Sequence, residues 1–191
     1  MSANIFERPA LQQRRVVVTG MGLISPLGLN LSESWQGLIQ GKSGISGITH
    51  FDATAFDARI AGEVKGFNPD EYIAKKEQKK MDRFIHFTLA ATKMALADSG
   101  FQPNEEEKSH IGTFIGVGMG GLPYIENQCQ TLRERGPGRI SPFFIPSVIT
   151  NMAAGQVSMA YGFKGPNYCV TSACASGAHA IGEATNYIRS G

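Results

Sequence analysis

Three times along this chain a run of β-branched or apolar residues ends in glycine or other very small residues and gives way to helical spacing. The runs are Arg15-Val16-Val17-Val18-Thr19-Gly20, His110 to Val117, and Asn167 to Ala173. A continuous apolar run suits a strand buried on both faces, and strands that alternate with helices belong in one layered sheet. The pattern therefore predicts an α/β fold: a mixed, mostly parallel sheet covered by helices.

Residues 1–14 read as a polar lead-in, and residues 15–191 as one domain. Ser32 is placed to cap a helix through about Gln40, with Trp35, Leu38 and Ile39 facing inward and Gly41 closing it. Residues 42–68 read as loop and short strand, with weak alternation over Arg59 to Lys65. Helical spacing then dominates from about Pro69 to Ala97 and stops at Asp98-Ser99-Gly100. On that helix Lys79, Asp82, His86 and Lys93 form one narrow polar stripe, while Met81, Phe84, Ile85, Phe87, Leu89, Ala91 and Met94 cover most of the rest, so it is expected to be largely buried. Further helices are expected up to about Arg135, from about Ile145 to Tyr161 with Pro146 in the first turn, and from about Cys174 to Arg189.

At 191 residues, with 42% hydrophobic and 18% charged side chains, the chain has enough apolar matter for a core. A net charge of +2 supplies no global field toward nucleic acid or an acidic membrane. The first residues lack the apolar segment of a secretion signal, and no stretch approaches about 18 uninterrupted apolar residues. Cys129, Cys169 and Cys174 are odd in number and show neither Cys-x-x-Cys spacing nor a neighbouring histidine suited to a zinc clip. This usage fits a reducing cytoplasm and no bound metal.

Gly116-Val117-Gly118-Met119-Gly120-Gly121 has the spacing of a dinucleotide loop, after a strand and before a helix. The acidic ribose-binding residue expected about 20 positions on is missing, because Arg135 to Ser141 is a Pro/Gly turn. Tight turns and close backbone approach account for the glycines more simply.

The stretch Val170-Thr171-Ser172-Ala173-Cys174-Ala175-Ser176-Gly177-Ala178-His179 puts a thiol at a strand-to-helix junction among small residues. Such a position suits a nucleophile. Free N–H groups and the positive end of the helix dipole favour thiolate, small neighbours admit a carbonyl and leave room for an oxyanion hole, and the turn projects its residue from the sheet. A buried cysteine serving as a small hydrophobe is the competing reading. Cys169, mid-strand, is expected to be such a residue on the opposite side of the sheet. His179, five positions after Cys174, would point about 140° away around a helix, which makes it a structural residue rather than a base. His86 reads as an exposed partner of Asp82 one turn earlier, and His50 and His110 as solvated residues at loop or strand edges.

The chain resembles the β-ketoacyl-acyl-carrier-protein synthases, in particular the type II elongating enzymes of fatty-acid synthesis. The resemblance runs through RRVVVTGMGLISPLG at 14–28, KSGIS at 42–46, KKEQKKMDRF at 75–84, IGVGMGGL at 115–122, ISPFFIPSVITNMAAG at 140–155 and GPNYCVTSACASGAHAIGEA at 165–184. It implies a thiolase-like fold, of which these residues are the N-terminal half, and makes Cys174 the acyl-accepting nucleophile. It further implies that Met119 and Phe144 border the acyl-chain pocket, with Phe144 closing it across a homodimer, and that Lys76, Lys79 and Lys80 dock an acidic acyl carrier protein. Substrates would arrive on carrier phosphopantetheine, with no bound cofactor. Family members are about twice as long and take two histidines, a lysine and a Gly/Phe-rich loop from their second half, so the 191 residues are expected to be a truncated chain unable to condense alone. A silent partner subunit, a polyketide ketosynthase relative and a non-functional truncated product are the alternatives; the intact Cys174 argues against the first.

Overall fold

A computed structural model describes residues 14–191, so the expected lead-in at 1–14 lies almost wholly outside the described residues. Helix α1 (Leu31–Ile39) is capped by Asn30, whose side chain accepts from Glu33 N–H; Ser32 lies inside the first turn. Contrary to expectation, Trp35, Leu38 and Ile39 are exposed, and Ser34 and Gly37 form the buried face. Short strands β1 (Ile45–Gly47) and β2 (Ile60–Gly62) pair antiparallel.

The long helix expected over 69–97 is broken. A single turn at Pro69–Glu71 and the short α2 (Lys75–Gln78) precede α3 (Arg83–Ser99), which Asp82 caps by accepting from Arg83 N–H. Apolar spacing continues through the break, but an aspartate that caps gains more than one left mid-helix. Asp82 is consequently buried, with no place on an exposed stripe. The segment expected over 145–161 also divides, into α5 (Phe144–Val148) and α6 (Met152–Tyr161), because Ile149 is extended.

The core lies where α3 meets α6. Ile85, Leu89, Val157, Met81, Ile73 and Phe163 form one buried cluster, and Ala153 and Ala154 are fully covered. Ala153 and Ala154 place small side chains on the buried face of α6, beside the larger Val157.

Strands β3 (Thr113–Gly116) and β4 (Asn167–Val170) pair in parallel, with Gly116 opposite Val170. The parallel sheet is limited to these two strands among the described residues. The valine run at 15–20 joins no ladder: Val17 and Val18 are 71% and 79% exposed, and β-branched propensity without a pairing neighbour does not make a strand. Helix α4 (Leu122–Arg135) follows β3, and α7 (Ser176–Ser190) follows β4, covering the pair.

Candidate active site

Past the last paired residues, both strands of the parallel pair run into turns that lie against one another. Val117 N–H donates to the Val170 carbonyl at 3.0 Å. Gly116 lies so close to the start of α7 that a Cβ there would overlap the carbonyl of Ser176. A Cβ at Gly118 would touch the Ala173 carbonyl, so the loop that carries Met119 abuts the turn that carries Cys174. Close backbone approach is thus what these glycines serve, as the sequence suggested.

Cys174 is exposed in this chain, where the competing reading expects a buried side chain. It also stands outside the helix: α7 begins at Ser176, with Ala175 as its N-cap and no side chain capping it. Ala173, immediately before the cysteine, has φ of 50°, a left-handed conformation that costs an L-residue about 1 kcal/mol. The clamp that holds it is Ser176, 2% exposed. Its hydroxyl donates to the Ala173 carbonyl at 2.7 Å and accepts from Ser172 N–H at 2.9 Å, while Ser176 N–H donates to Ala173 at 3.1 Å. A strained residue over-determined by hydrogen bonds is how a chain holds a reactive side chain in one place. Nothing in the sequence distinguishes Ser176 from its small neighbours, so its role emerges only from the geometry.

His179 Nδ1 lies 2.6 Å from Ser172 Oγ, and no hydrogen bond among the described residues joins it to Cys174. Its structural reading therefore agrees with the fold. Cys169 is half-exposed rather than buried, opening onto a cleft of about 750 Å³ lined by Phe114, Tyr168, Glu183 and Tyr187. Cys129 is exposed on α4. His86 is half-buried, with Nε2 3.2 Å from the Gln78 carbonyl; burial holds its pKa below the ordinary histidine value, against the pull of that carbonyl and of Asp82. His86 is therefore a half-buried residue bonded to Gln78 and not an exposed partner of Asp82, whose carboxylate is taken up by Arg83 and Tyr124 N–H.

Met119 is 70% exposed at the tip of its loop, and Phe144 is half-buried, stacked on Tyr124 at 6.4 Å. Lys76 and Lys79 are exposed, whereas Lys80 pairs with Glu77 at 2.9 Å and lies 5.5 Å above the Phe143 ring. The structure thus brings Met119 to the cysteine turn, and Lys80 to the phenylalanine pair at α5. Among the described residues no three His, Cys, Asp or Glu side chains are grouped to hold a metal ion, and no helix is long and apolar enough to cross a membrane.

The model of the family described as "Beta-ketoacyl synthase, N-terminal domain" matches residues 13–191. The chain is similar to the 3-oxoacyl-[acyl-carrier-protein] synthase 2 of Vibrio cholerae, at 50% identity over 95% of this chain and 44% of that protein. The protein of the same description from Synechocystis is 46% identical over the same shares of the two chains. Among solved structures, the ishigamide ketosynthase/chain length factor matches with a TM-score of 0.80 and 30% identity, over 93% of this chain and 45% of that one. A type II PKS ketosynthase in complex with its acyl-carrier protein matches with a TM-score of 0.79 and 25% identity, over 94% of this chain and 49% of that one. The chain spans about 44% of the length of the curated relatives it matches.

Proposed function

The chain belongs to the β-ketoacyl synthase family through its N-terminal domain and has the thiolase-like ketosynthase fold, and on that premise we propose that it carries the acyl-accepting step of fatty-acid elongation. The observation that carries the reading is the exposed Cys174 on a left-handed turn clamped by Ser176. The Cys174 sulfur, as thiolate, attacks the carbonyl carbon of a thioester borne on carrier phosphopantetheine. A carbon–sulfur bond forms to Cys174, the bond to the pantetheine sulfur breaks, and the departing thiolate takes the proton that Cys174 gave up to solvent. Both groups are thiols, so the exchange is nearly balanced and suits cysteine.

In the second step malonyl carrier protein loses carbon dioxide, the resulting carbanion attacks the acyl carbonyl, and Cys174 leaves as thiolate with a new carbon–carbon bond made. That step needs donors to stabilise the enolate. The family resemblance puts them outside these 191 residues, and His179 is engaged by Ser172. We assign Met119 and Phe144 to the acyl-chain pocket, Phe144 reaching it across a homodimer, and Lys76, Lys79 and Lys80 to carrier docking in the cytoplasm. Identities of 50% and 46% to the 3-oxoacyl synthases, against 30% and 25% to the polyketide-type structures, favour the fatty-acid pathway.

Incubation with an acyl carrier protein loaded with a fatty acyl group, followed by intact-mass measurement, tests the reading. One acyl adduct that disappears in Cys174→Ala is expected. No adduct, or one that survives the substitution, would sink it.

A further inference from the structure

We infer that Ser147 and Asp82 are positioning residues for acyl transfer, holding the carrier-docking lysines at a set place relative to the loop that borders Cys174. This rests on the function proposed above. Ser147 is wholly buried in α5, yet its hydroxyl reaches across to donate to the Lys80 carbonyl at 2.8 Å. Asp82, 9% exposed, faces two helices: one carboxylate oxygen caps α3 at Arg83, and the other accepts from Tyr124 N–H, in the first turn of α4, at 3.3 Å. The segment that presents Lys79 and Lys80 is therefore anchored to the starts of α3 and α4 and to α5.

The same elements run on to the thiol. Val148, the residue after Ser147, accepts from Gly121 N–H at 3.1 Å, and a Cβ on Gly121 would overlap Asp82. Gly121 ends the loop that holds Met119, and the other end of that loop is tied to Val170 and lies against Ala173. From Lys80 through Ser147, Val148 and Gly121 to the cysteine turn, the path runs along the backbone at 147–148 and 118–121 and crosses between segments by hydrogen bonds and one close backbone contact. The hydrogen bonds of Ser147 and Asp82 go to Lys80, Arg83 and Tyr124, and none goes to Cys174.

The arrangement matters because a carrier delivers its thioester from a fixed docking point. A misplacement of about 1 Å at a distance can cost on the order of 100-fold in rate when reactants must meet in one geometry. An acyl thioester lacking the carrier never touches the lysines, so it reports on the thiol and its turn alone. The ratio of the two acylation rates isolates positioning from general damage.

The test follows the rate of Cys174 adduct formation by intact mass, with dodecanoyl acyl carrier protein and with S-dodecanoyl pantetheine as donors. In Ser147→Ala the ratio of carrier rate to free-thioester rate is expected to fall about tenfold, a part of the loss that full misplacement gives. Asp82→Asn keeps one acceptor for the α3 cap and puts an NH2 donor in place of the oxygen that accepts from Tyr124 N–H, so that 3.3 Å bond is lost and a smaller fall in the same ratio is expected; it carries the test if thermal melting shows that Ser147→Ala does not fold. An unchanged ratio in folded variants overturns the inference while leaving the proposed function intact. A wild-type chain acylated by neither donor overturns both, and one acylated by the free thioester alone overturns docking and this inference with it.

Discussion

Helices α3 and α6 treat apolar side chains in the opposite way to the α7 face. Ile85 and Ala153 are fully buried between the first pair, whereas Ile181 and Tyr187 of α7 and Tyr168 of the adjoining strand are 71%, 48% and 54% exposed. Helix α7 buries only Ser176 and Ala180. Cys174 stands on the border between these regimes. On one side its turn is fixed by Gly116 and Ser176, and on the other it opens to solvent. The contrast teaches that the thiol is held by hydrogen bonds and close backbone approach, while the apolar core supports it from a distance.

Gly116→Val should break that arrangement most severely. Its side chain has to enter the space of the Ser176 carbonyl, which is backbone and cannot rotate away. Overpacking of this kind costs about 3 kcal/mol, and it should displace the cysteine turn, read as a lower urea midpoint together with lost acylation. Ile85→Ala, at 0% exposed in the main core, is expected to cost about 3 kcal/mol as a cavity, with acylation of the folded fraction preserved. Equal effects of the two variants on acylation per folded molecule would erase the distinction between local fixing and global support.

A third kind of anchoring appears in the β1–β2 hairpin, where apolar Ile45 and Ile60 are exposed but Glu63 is buried. Backbone and side-chain hydrogen bonds from Thr49, with help from His50 N–H, hold its carboxyl at about 2, below an ordinary 4.5. In that interval the unfolded chain binds more protons than the folded one. The stabilisation is present above the ordinary value and is lost as pH falls through 4.5 toward 2. Urea midpoints taken across that range should decline in wild type and decline less in Glu63→Gln. The smallest effect is expected for Ile181→Ala, 71% exposed, which should stay within about 0.5 kcal/mol of wild type in the same melts.

Much of this was readable from residue patterns, and the failures have physical reasons. Helices α4 and α7, the strands at 113–116 and 167–170 and their parallel sense, and the close approach served by the Gly-rich loop followed from local spacing; which strands pair did not. The valine run at 15–20 did not become a strand, because pairing needs a neighbour in register and the pattern of one segment does not show whether another lies beside it. The break before α3 did have a signal, since Asp82 is a good cap, but the apolar period ran across it and hid it. Cys174 was placed correctly at a junction and wrongly inside the helix, because the left-handed turn at Ala173 has no glycine to announce it. Ser147 had no signal at all: its partner is 67 residues away in sequence.

The most direct test of the account compares two exposed thiols in one molecule. Cys174 sits on the clamped turn and Cys129 on the plain surface of α4. After brief exposure to a carrier-borne acyl thioester, peptide-level mass measurement gives the occupancy of each. Acyl group is expected on Cys174 in large excess over Cys129, with a preference that vanishes once the chain is unfolded in urea. Equal labelling of the two cysteines in the folded protein would contradict it.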